Sequence, residues 1–296
     1  MFDLEKRNSV FPTRYPQKFD GKPDLVITSR HGVGSDFLDQ HPGLLETFHP
    51  DDLPHLKKYF DVEYDHGATQ LAHEIARILS HIYQFRVIVI ECTFTRGLLD
   101  MHRVREHAFM NVLSYGYRER LYELFMTKCV QAQSFIREEI ESAGGVCLDI
   151  HTMSDFNIAE KPELKPGNLG AFADAWNDPD NRVSQRQSTF VTGLNGNEHD
   201  ETRYLRQALQ THLRRDYYKF SRNDPYHSTD LQSTAPFVRS GACAVLDICK
   251  SEISNEDPYS DGYDLSQLTL SLEKISRLAS CIAAGVNDVS GTLFRG

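Results

Sequence analysis

Short runs that are apolar at nearly every position mark this sequence, and segments with helical periodicity separate them. The clearest runs are residues 25–28, 86–90, 146–150 and 242–249. A strand that is apolar at nearly every position is buried on both faces, as in a sheet covered by helices. The alternation therefore predicts an α/β fold with a mainly parallel or mixed central sheet and helices on both faces.

Four segments show the periodicity of amphipathic helices. They span residues 70–82, 113–142, 200–214 and 264–284. The first carries an apolar stripe made of Leu71, Ile75, Ile78, Leu79 and Ile82. The second ends at Gly144-Gly145, because glycine is favoured just beyond the last residue of a helix.

Two further segments complete the predicted organisation. Residues 188–192 are typical of one more strand, and residues 157–187 are polar and rich in Pro, Gly, Asn and Asp. A stretch of this length and composition predicts a long loop, which in a compact domain is usually functional or disordered. No internal repeat or linker divides the chain, so we expect residues 1–296 to form one domain.

Charge and hydropathy exclude several classes of protein. The net charge is −10, which argues against nucleic acid as a partner, because phosphate backbones need basic surfaces. No segment approaches the roughly 20 apolar residues of a membrane span, and the N-terminus lacks a signal peptide. We therefore expect a cytoplasmic protein whose six cysteines are buried free thiols. The sequence leaves the oligomeric state open.

Polar residues follow or interrupt three of the apolar runs. His31 comes just after the first run, His151 ends the third, and Asp247 lies within the last. In an open α/β sheet the carboxyl ends of the strands meet at a crevice where ligands bind. Two histidines and a carboxylate there leave one position on a zinc ion open for water, which is the arrangement of a metal-dependent hydrolase. Glycines after His31 would let a metal or substrate approach the backbone closely.

Glu63 and Asp65 are the candidates for the acidic ligand. In an extended segment two residues that are two apart point the same way, so one could bind the metal while the other supports it. The alternative is an acidic pair that caps the helix beginning near Thr69. Asp149 is also two residues from His151, and we expect it to orient that imidazole.

Asp247 and two arginines are the candidates for chemistry beyond the metal. An unpaired carboxylate inside an apolar strand is costly to bury, so Asp247 should face a metal, a cation or the strand end. This favours a catalytic role, with a structural ion pair as the alternative. Arg96 and Arg103 flank Asp100, so each either binds an anionic group of the substrate or forms a salt bridge with Asp100.

Six short blocks, taken in order, resemble the N-formylglutamate amidohydrolase family. The resemblance runs from about residue 25 to about residue 253 and includes Glu63-Tyr64-Asp65-His66-Gly67 and Leu148-Asp149-Ile150-His151-Thr152-Met153. The other four blocks are His31-Gly32, residues 95–103, residues 223–226 and residues 245–248. That family belongs with the zinc-dependent exopeptidase-like α/β hydrolases, also described as phosphorylase/hydrolase-like.

The resemblance implies a set of metal ligands and a base. His31 and His151 would bind Zn²⁺, or another divalent ion, with Asp65 or failing that Glu63 as the third ligand. Asp247 matches the catalytic carboxylate of the family. The implied activity is hydrolysis of the amide bond of an N-acyl amino acid of the formyl type, or of a similar small amide that bears a carboxylate, in amino-acid metabolism.

The resemblance also implies how the small-molecule substrate is held. Arg103, with Arg96 as a second candidate, would bind the substrate carboxylate, while Asn223 and Tyr226 would line the pocket. Arg103 is in addition a catalytic candidate, because an arginine beside the metal stabilises the oxyanion.

Three departures from the family pattern keep other functions open. The chain has Arg30-His31-Gly32-Val33 where the family has Pro-His-Ser-Gly, His102 before Arg103 where the family has Asp-x-Asn-Arg, and Asp247 where the family has Glu. One alternative is a metallohydrolase that acts on peptidoglycan or as a carboxypeptidase. Another is a non-catalytic small-molecule binder on a degenerate hydrolase scaffold.

Overall fold

A mixed sheet of seven strands forms the centre of the computed structural model, which describes residues 3–191, 198–222, 243–260 and 262–293. The strands in these residues are β1 (Val10–Tyr15), β2 (Leu25–Ser29), β3 (Val87–Cys92), β4 (Cys147–Met153), β5 (Phe156–Ile158), β6 (Arg182–Gln185), β7 (Thr189–Val191), β8 (Ser221–Arg222) and β9 (Cys243–Cys249). The α-helices are α1 (Asp36–Gln40), α2 (Leu56–Glu63), α3 (Ala68–Tyr83), α4 (Arg105–Ala108), α5 (Tyr115–Ser142), α6 (Leu169–Asn177), α7 (Asp200–Arg215) and α8 (Leu272–Leu293).

The central sheet has the strand order β1-β3-β2-β4-β9-β7-β8, and β5 pairs with β6 separately. The four middle strands, β3, β2, β4 and β9, are mutually parallel. Strand β1 runs antiparallel to β3, and β7 runs antiparallel to β9. The predicted α/β class with a mixed sheet is therefore confirmed.

The strand order changes direction at β2, because β3 lies next to β2 on one side and β4 lies next to it on the other. Helix α3 connects β2 to β3, and α5 connects β3 to β4. The two helices consequently cover opposite faces: Val26 belongs to the same buried cluster as Phe125 of α5, and Ile27 to the same cluster as Leu71 of α3. The crevice between β2 and β4 is thus a topological switch point, where ligands bind in such sheets.

Several predicted helices form with small shifts at their ends. Helix α5 stops at glycines with left-handed backbones, Gly144 at φ 67° and Gly145 at φ 86°, as the sequence indicated. Ile82, predicted on the buried stripe of α3, is instead 65% exposed. Helix α3 is followed by Gln84, whose left-handed backbone (φ 63°) turns the chain. Phe85 then packs in the core, where Ile82 was expected.

The last predicted helix begins later than its apolar spacing indicated, at Leu272 rather than residue 264. Leu265 and Leu268 are buried, but they pack from a loop. The Asp264 carboxylate accepts the backbone N–H of Ser266 at 2.8 Å, a turn contact that competes with helix formation.

The segment predicted to be a long loop, 157–187, contains regular structure. It includes α6, β6 and the end of β5. The buried carboxylate of Asp52 accepts the backbone N–H groups of Gly167 at 2.6 Å and Leu169 at 2.9 Å, and so anchors the beginning of α6. The loop prediction is wrong because this anchor lies more than a hundred residues away, where local composition does not reveal it.

All six cysteines are free and buried, as predicted. Among the described helices, none combines the length and the apolar character that crossing a membrane requires.

Candidate metal centre and active site

Three candidate residues lie at the carboxyl ends of adjacent parallel strands. His31 follows β2, while His151 and Asp247 are directly opposed partners in β4 and β9. Asp65 joins them from the turn after α2, where its backbone N–H donates to the His31 carbonyl oxygen at 3.0 Å. Strand order thus brings together residues that are up to 216 positions apart in the chain (247 − 31).

His31, Asp65 and His151 form a compact triangle of ligand atoms. The Nδ1 atoms of the two histidines are 3.2 Å apart, and Asp65 Oδ2 is 3.1 Å from His31 Nδ1 and 2.9 Å from His151 Nδ1. Metal–ligand bonds of roughly 2.0–2.1 Å in tetrahedral geometry place two ligand atoms about 3.3 Å apart. The triangle therefore fits one divalent ion, and its three side chains are buried.

A carboxylate lies behind each histidine of the triangle. His31 Nε2 is 2.8 Å from Asp100 Oδ1, and His151 Nε2 is 3.3 Å from Asp149 Oδ1. A carboxylate in this position favours a proton on Nε2 and leaves the Nδ1 lone pair facing the ion. The predicted orienting role of Asp149 agrees with this geometry. Sequence reasoning gave Asp100 only as a partner of arginines, and no local signal connected it to His31.

Charges near the triangle suit a cation. Burial alone would raise the pKa of Asp65, but His31 and His151 outweigh burial and hold that pKa well below its usual range. Burial would likewise raise the pKa of Asp149, but Arg30 and His151 keep it well below the ordinary value. Both carboxylates are therefore ionised at neutral pH.

A second group of metal-type ligands, His102, Asp149 and His151, lies next to the first. It is a poorer candidate, because Arg30 Nε is 3.3 Å from Asp149 Oδ2 and Thr28 donates to Asp149 Oδ1 at 2.5 Å. A cation bound to Asp149 would have to displace or oppose a fully buried guanidinium. The first triangle is therefore the better candidate for a metal ion.

Glu63 and Asp65 differ in their surroundings. Glu63 is the last residue of α2, so the predicted extended segment is wrong at this end. Its Oε2 lies 3.5 Å from Arg96 Nε, while Asp65 contacts both histidines. The N-cap of α3 is Gly67, and among the described residues no side chain caps this helix, so the capping alternative is also wrong.

The sequence left two roles open for Arg96 and Arg103, a salt bridge with Asp100 and a place in the substrate pocket. Arg103 Nε is 2.9 Å from Asp100 Oδ2, and Arg96 Nε is 3.7 Å from the same oxygen. Both side chains also line the central cavity, and Arg103 is 47% exposed. Asp100 therefore holds Arg103, whereas Arg96 lies among three carboxylates, at 3.5 Å from Glu63, 3.6 Å from Asp65 and 3.7 Å from Asp100.

A cavity of about 730 Å³ opens in front of the triangle. Its wall carries a group of basic side chains, which is notable in a chain with a net charge of −10. These are Arg96, Arg103, Lys161, Arg186 and Lys250. Lys250, which sequence reasoning missed, is buried and donates to the Val62 carbonyl oxygen at 3.3 Å; burial lowers its pKa to about 8.

Asp247 faces the same cavity beside His151. Burial raises the pKa of its carboxyl, and the nearby His151 partly offsets that effect. The sequence predicts that Asp247 faces a metal, a cation or the strand end, and its catalytic role stays a prediction. Asn223 and Tyr226, predicted to line the pocket, lie outside the described residues.

Gly32 is required for a reason other than the one expected. A Cβ atom there would lie 1.9 Å from Thr69 Oγ1, which in turn contacts Ser29 Oγ at 2.9 Å. The glycine therefore lets the start of α3 approach β2, whereas a close approach of the metal was expected. Gly67, at φ 79°, adopts a backbone conformation that side chains disfavour, and a Cβ would lie 2.5 Å from Ile253.

Two of the departures from the family pattern are connected through one carboxylate. Arg30 and His102 both approach Asp149 Oδ2, at 3.3 Å and 3.5 Å. The His102 ring also lies 4.6 Å from that of His151, centroid to centroid. The two substitutions therefore belong to one buried network behind the metal triangle.

The fold and the residue triangle together define an α/β chain with a candidate metal centre at its switch point. Comparison with solved structures agrees at the level of the fold. An N-formylglutamate amidohydrolase from Ralstonia eutropha JMP134 matches with a TM-score of 0.54 and 14% identity, over 98% of this chain and 100% of that one. The gene product Atu2144 from Agrobacterium tumefaciens matches with a TM-score of 0.53 and 14% identity, over 99% and 97% of the two chains.

The structural neighbours thus include a protein of the family that the six sequence blocks resemble, which confirms the resemblance. At this level of identity the likeness establishes a shared fold. No protein-family model and no curated protein matches the sequence itself.

Proposed function

We propose that this chain is a metal-dependent hydrolase of the zinc-exopeptidase type, which cleaves the amide bond of a small N-acyl amino acid or a similar carboxylate-bearing amide. The observation that carries the proposal is the triangle of His31, Asp65 and His151, with a carboxylate behind each histidine and a basic cavity in front. The solved N-formylglutamate amidohydrolase of the same fold supports the reaction class.

The triangle would hold a zinc or another divalent ion. Such an ion supplies Lewis-acid activation of a water molecule and of the amide carbonyl when it is bound. The contribution of the chain is to fix the ligands before the ion arrives. Asp100 and Asp149 orient the two imidazoles, and the Arg30 guanidinium orients Asp149 in turn.

Arg96 and Arg103 would hold the substrate. An arginine presents two parallel N–H donors, which match the two oxygens of a carboxylate. Asp100 approaches Nε of both guanidiniums, and Arg96 Nη1 also lies 3.6 Å from Asp65 Oδ1, so Arg103 is the better placed of the two to bind an anionic group. Binding the carboxylate here would place the adjacent amide bond near the metal triangle.

Asp247 would transfer the proton. It is the partner of His151 on the neighbouring strand and lines the cavity. Its carboxylate can therefore accept a proton from the attacking water and deliver it to the leaving amine. The raised pKa of Asp247 suits this role, because a general acid and base works best when its pKa is nearer the working pH.

The proposal is tested by turnover and metal content together. The purified protein is stripped with a chelator, reloaded with zinc, and assayed on N-formyl, N-acetyl and N-succinyl amino acids. We expect one ion per chain and activity that is lost with the metal and restored with it. A protein that binds the ion but cleaves none of these amides would be the non-catalytic binder considered from the sequence. Peptidoglycan fragments and peptides are assayed in parallel, and activity on these alone would favour the peptidoglycan hydrolase or carboxypeptidase.

A further inference from the structure

Lys250 lines the cavity but has no part in the proposed mechanism. It comes directly after β9, three residues beyond Asp247, and it is 2% exposed. Among the described residues, Lys128 is the other buried lysine. Lysine is rarely buried without partners, because removing its charge from water costs free energy. The surroundings of the two ammonium groups therefore indicate what each one does.

The two ammonium groups differ in their hydrogen bonds. Lys128 Nζ donates to the carbonyl oxygens of Glu5 at 2.8 Å and Arg7 at 2.7 Å. Lys250 Nζ donates to the carbonyl oxygen of Val62 at 3.3 Å, and within the described ranges it forms neither another hydrogen bond nor an ion pair. Since an ammonium has three N–H donors, Lys250 has donors left for a group that enters the cavity.

Backbone contacts anchor Lys250 at the end of β9. Its carbonyl oxygen accepts the N–H groups of Ile253 at 3.2 Å and Ser254 at 3.1 Å. The next residue, Ser251, donates its backbone N–H to the buried carboxylate of Asp155 at 3.3 Å. The side chain therefore starts from a fixed position. A donor that is held in place before the substrate binds stabilises a developing charge most effectively.

The Lys250 ammonium lies close to the metal triangle. Its acceptor, Val62, is in the last turn of α2, and Asp65 follows that helix. Among the charged groups that act on Lys250, Asp65 has the largest effect on its pKa, followed by Glu63. Burial outweighs these carboxylates and lowers the pKa to about 8, so the group is mainly protonated at neutral pH. Because this pKa is below that of lysine in an unfolded chain, the folded chain holds the ammonium at a cost to its stability.

We propose that Lys250 is a catalytic residue whose ammonium donates to the oxygen of the scissile carbonyl as negative charge develops there. The proposal rests on the proposed function, since it needs an amide carbonyl beside the metal triangle. Asp100 holds Arg103, which would bind the substrate carboxylate, and Arg96 lies among three carboxylates. Lys250 has neither commitment, and it lies at the same strand end as Asp247.

Lys250 would stabilise charge in this step without transferring a proton. As the oxygen of the attacking water bonds to the carbonyl carbon, Asp247 takes the proton and the π electron pair of the carbonyl moves onto its oxygen. An N–H group of Lys250 donates a hydrogen bond to this oxygen. When the electron pair returns, the carbon–nitrogen bond breaks and Asp247 delivers the proton to the leaving amine. Lys250 remains an ammonium throughout.

Lys250→Met tests the role, because methionine keeps the approximate length of the side chain and removes its charge. The zinc-loaded full-length protein is assayed on the N-formyl, N-acetyl and N-succinyl amino acids that test the proposed function. Loss of one oxyanion donor typically costs about 100- to 1000-fold in kcat, and we expect a loss of this size. KM should stay within about threefold, because the contact strengthens only in the transition state. Zinc content should not change.

Stability separates this role from a structural one. If Lys250 only capped α2 through Val62, its replacement should lower the denaturant concentration at which half of the protein is unfolded and leave kcat unchanged. We expect the reverse at pH 7, because Lys250→Met no longer buries a charge and should unfold at the same or a higher denaturant concentration. Lys128→Met is the matched control, since Lys128 is a buried lysine of α5 that does not line the cavity. It should unfold at a lower denaturant concentration and keep its kcat.

Three results for Lys250→Met would overturn the proposal: an unchanged kcat, a change confined to KM, or a loss of activity together with the zinc. Lys250→Gln, a second neutral variant, should show the same pattern as Lys250→Met and replaces it if methionine disturbs folding. Failure of the proposed hydrolase is recognised separately. A wild type that cleaves none of these amides would overturn both proposals, whereas an active wild type with an equally active Lys250→Met would overturn only the role of Lys250.

Discussion

Replacing Asp100 with asparagine tests how far the metal triangle depends on the carboxylates behind it. Asp100 accepts from His31 Nε2 at 2.8 Å, and its other oxygen is 2.9 Å from Arg103 Nε. Asparagine keeps the size of the side chain and one acceptor oxygen, but it removes the negative charge that makes the imidazole a stronger ligand. Loss of such a partner typically weakens metal binding about 10- to 100-fold, or about 1.4–2.8 kcal/mol.

The assay is competition for zinc against a chromogenic chelator of known affinity, at fixed pH and ionic strength. Asp52→Asn is the matched control, because Asp52 is an equally buried carboxylate whose hydrogen-bond donors, within the described residues, are the backbone N–H groups of Gly167 and Leu169. It should lower the free energy of unfolding without changing zinc affinity. Wild-type zinc affinity in Asp100→Asn would refute the reasoning, because it would show that His31 needs no carboxylate partner or is not a ligand.

Three further predictions concern substrate, proton transfer and pH. Arg103→Ala should reduce kcat/KM roughly 10- to 100-fold for N-acyl amino acids but much less for their uncharged carboxamide analogues; an equal loss on both would leave Arg103 a structural role only. Asp247→Asn should abolish turnover, measured as amine release, while zinc content stays at one per chain; unchanged turnover would show that another group is the base. Burial lowers the pKa of Lys250 to about 8, below its value in the unfolded chain, so between about pH 8 and 10.5 the unfolded chain binds one more proton and stability should rise with pH. Denaturation of wild type and Lys250→Met across this range should show the rise, up to about 3 kcal/mol, in their difference; a constant difference would contradict it.

The central part of the fold could be predicted because its signals are local. The runs that became β2, β3, β4 and β9 are apolar at nearly every position, since the sheet is covered on both faces. Helix α5 carried both its periodicity and its terminating glycines. Elements that depend on distant contacts were missed, as with α6, whose anchor at Asp52 lies far away in sequence.

The candidate site likewise contains some residues that the local sequence predicts and others that only distant contacts reveal. His31, His151 and Asp247 stand out because burying a polar residue at the end of an apolar strand costs free energy unless it has a partner. The sequence did not distinguish Glu63 from Asp65, since that choice depends on where α2 ends. Lys250 and the His31 partnership of Asp100 were missed because each acts through residues that are distant in the chain.

Anomalous diffraction at the zinc edge, on crystals of the zinc-loaded protein, would locate the metal ion that we propose for His31, Asp65 and His151. We expect one strong peak within bonding distance of Nδ1 of His31, Nδ1 of His151 and a carboxylate oxygen of Asp65. A peak between His102, Asp149 and Nε2 of His151, or no peak near these histidines, would contradict it.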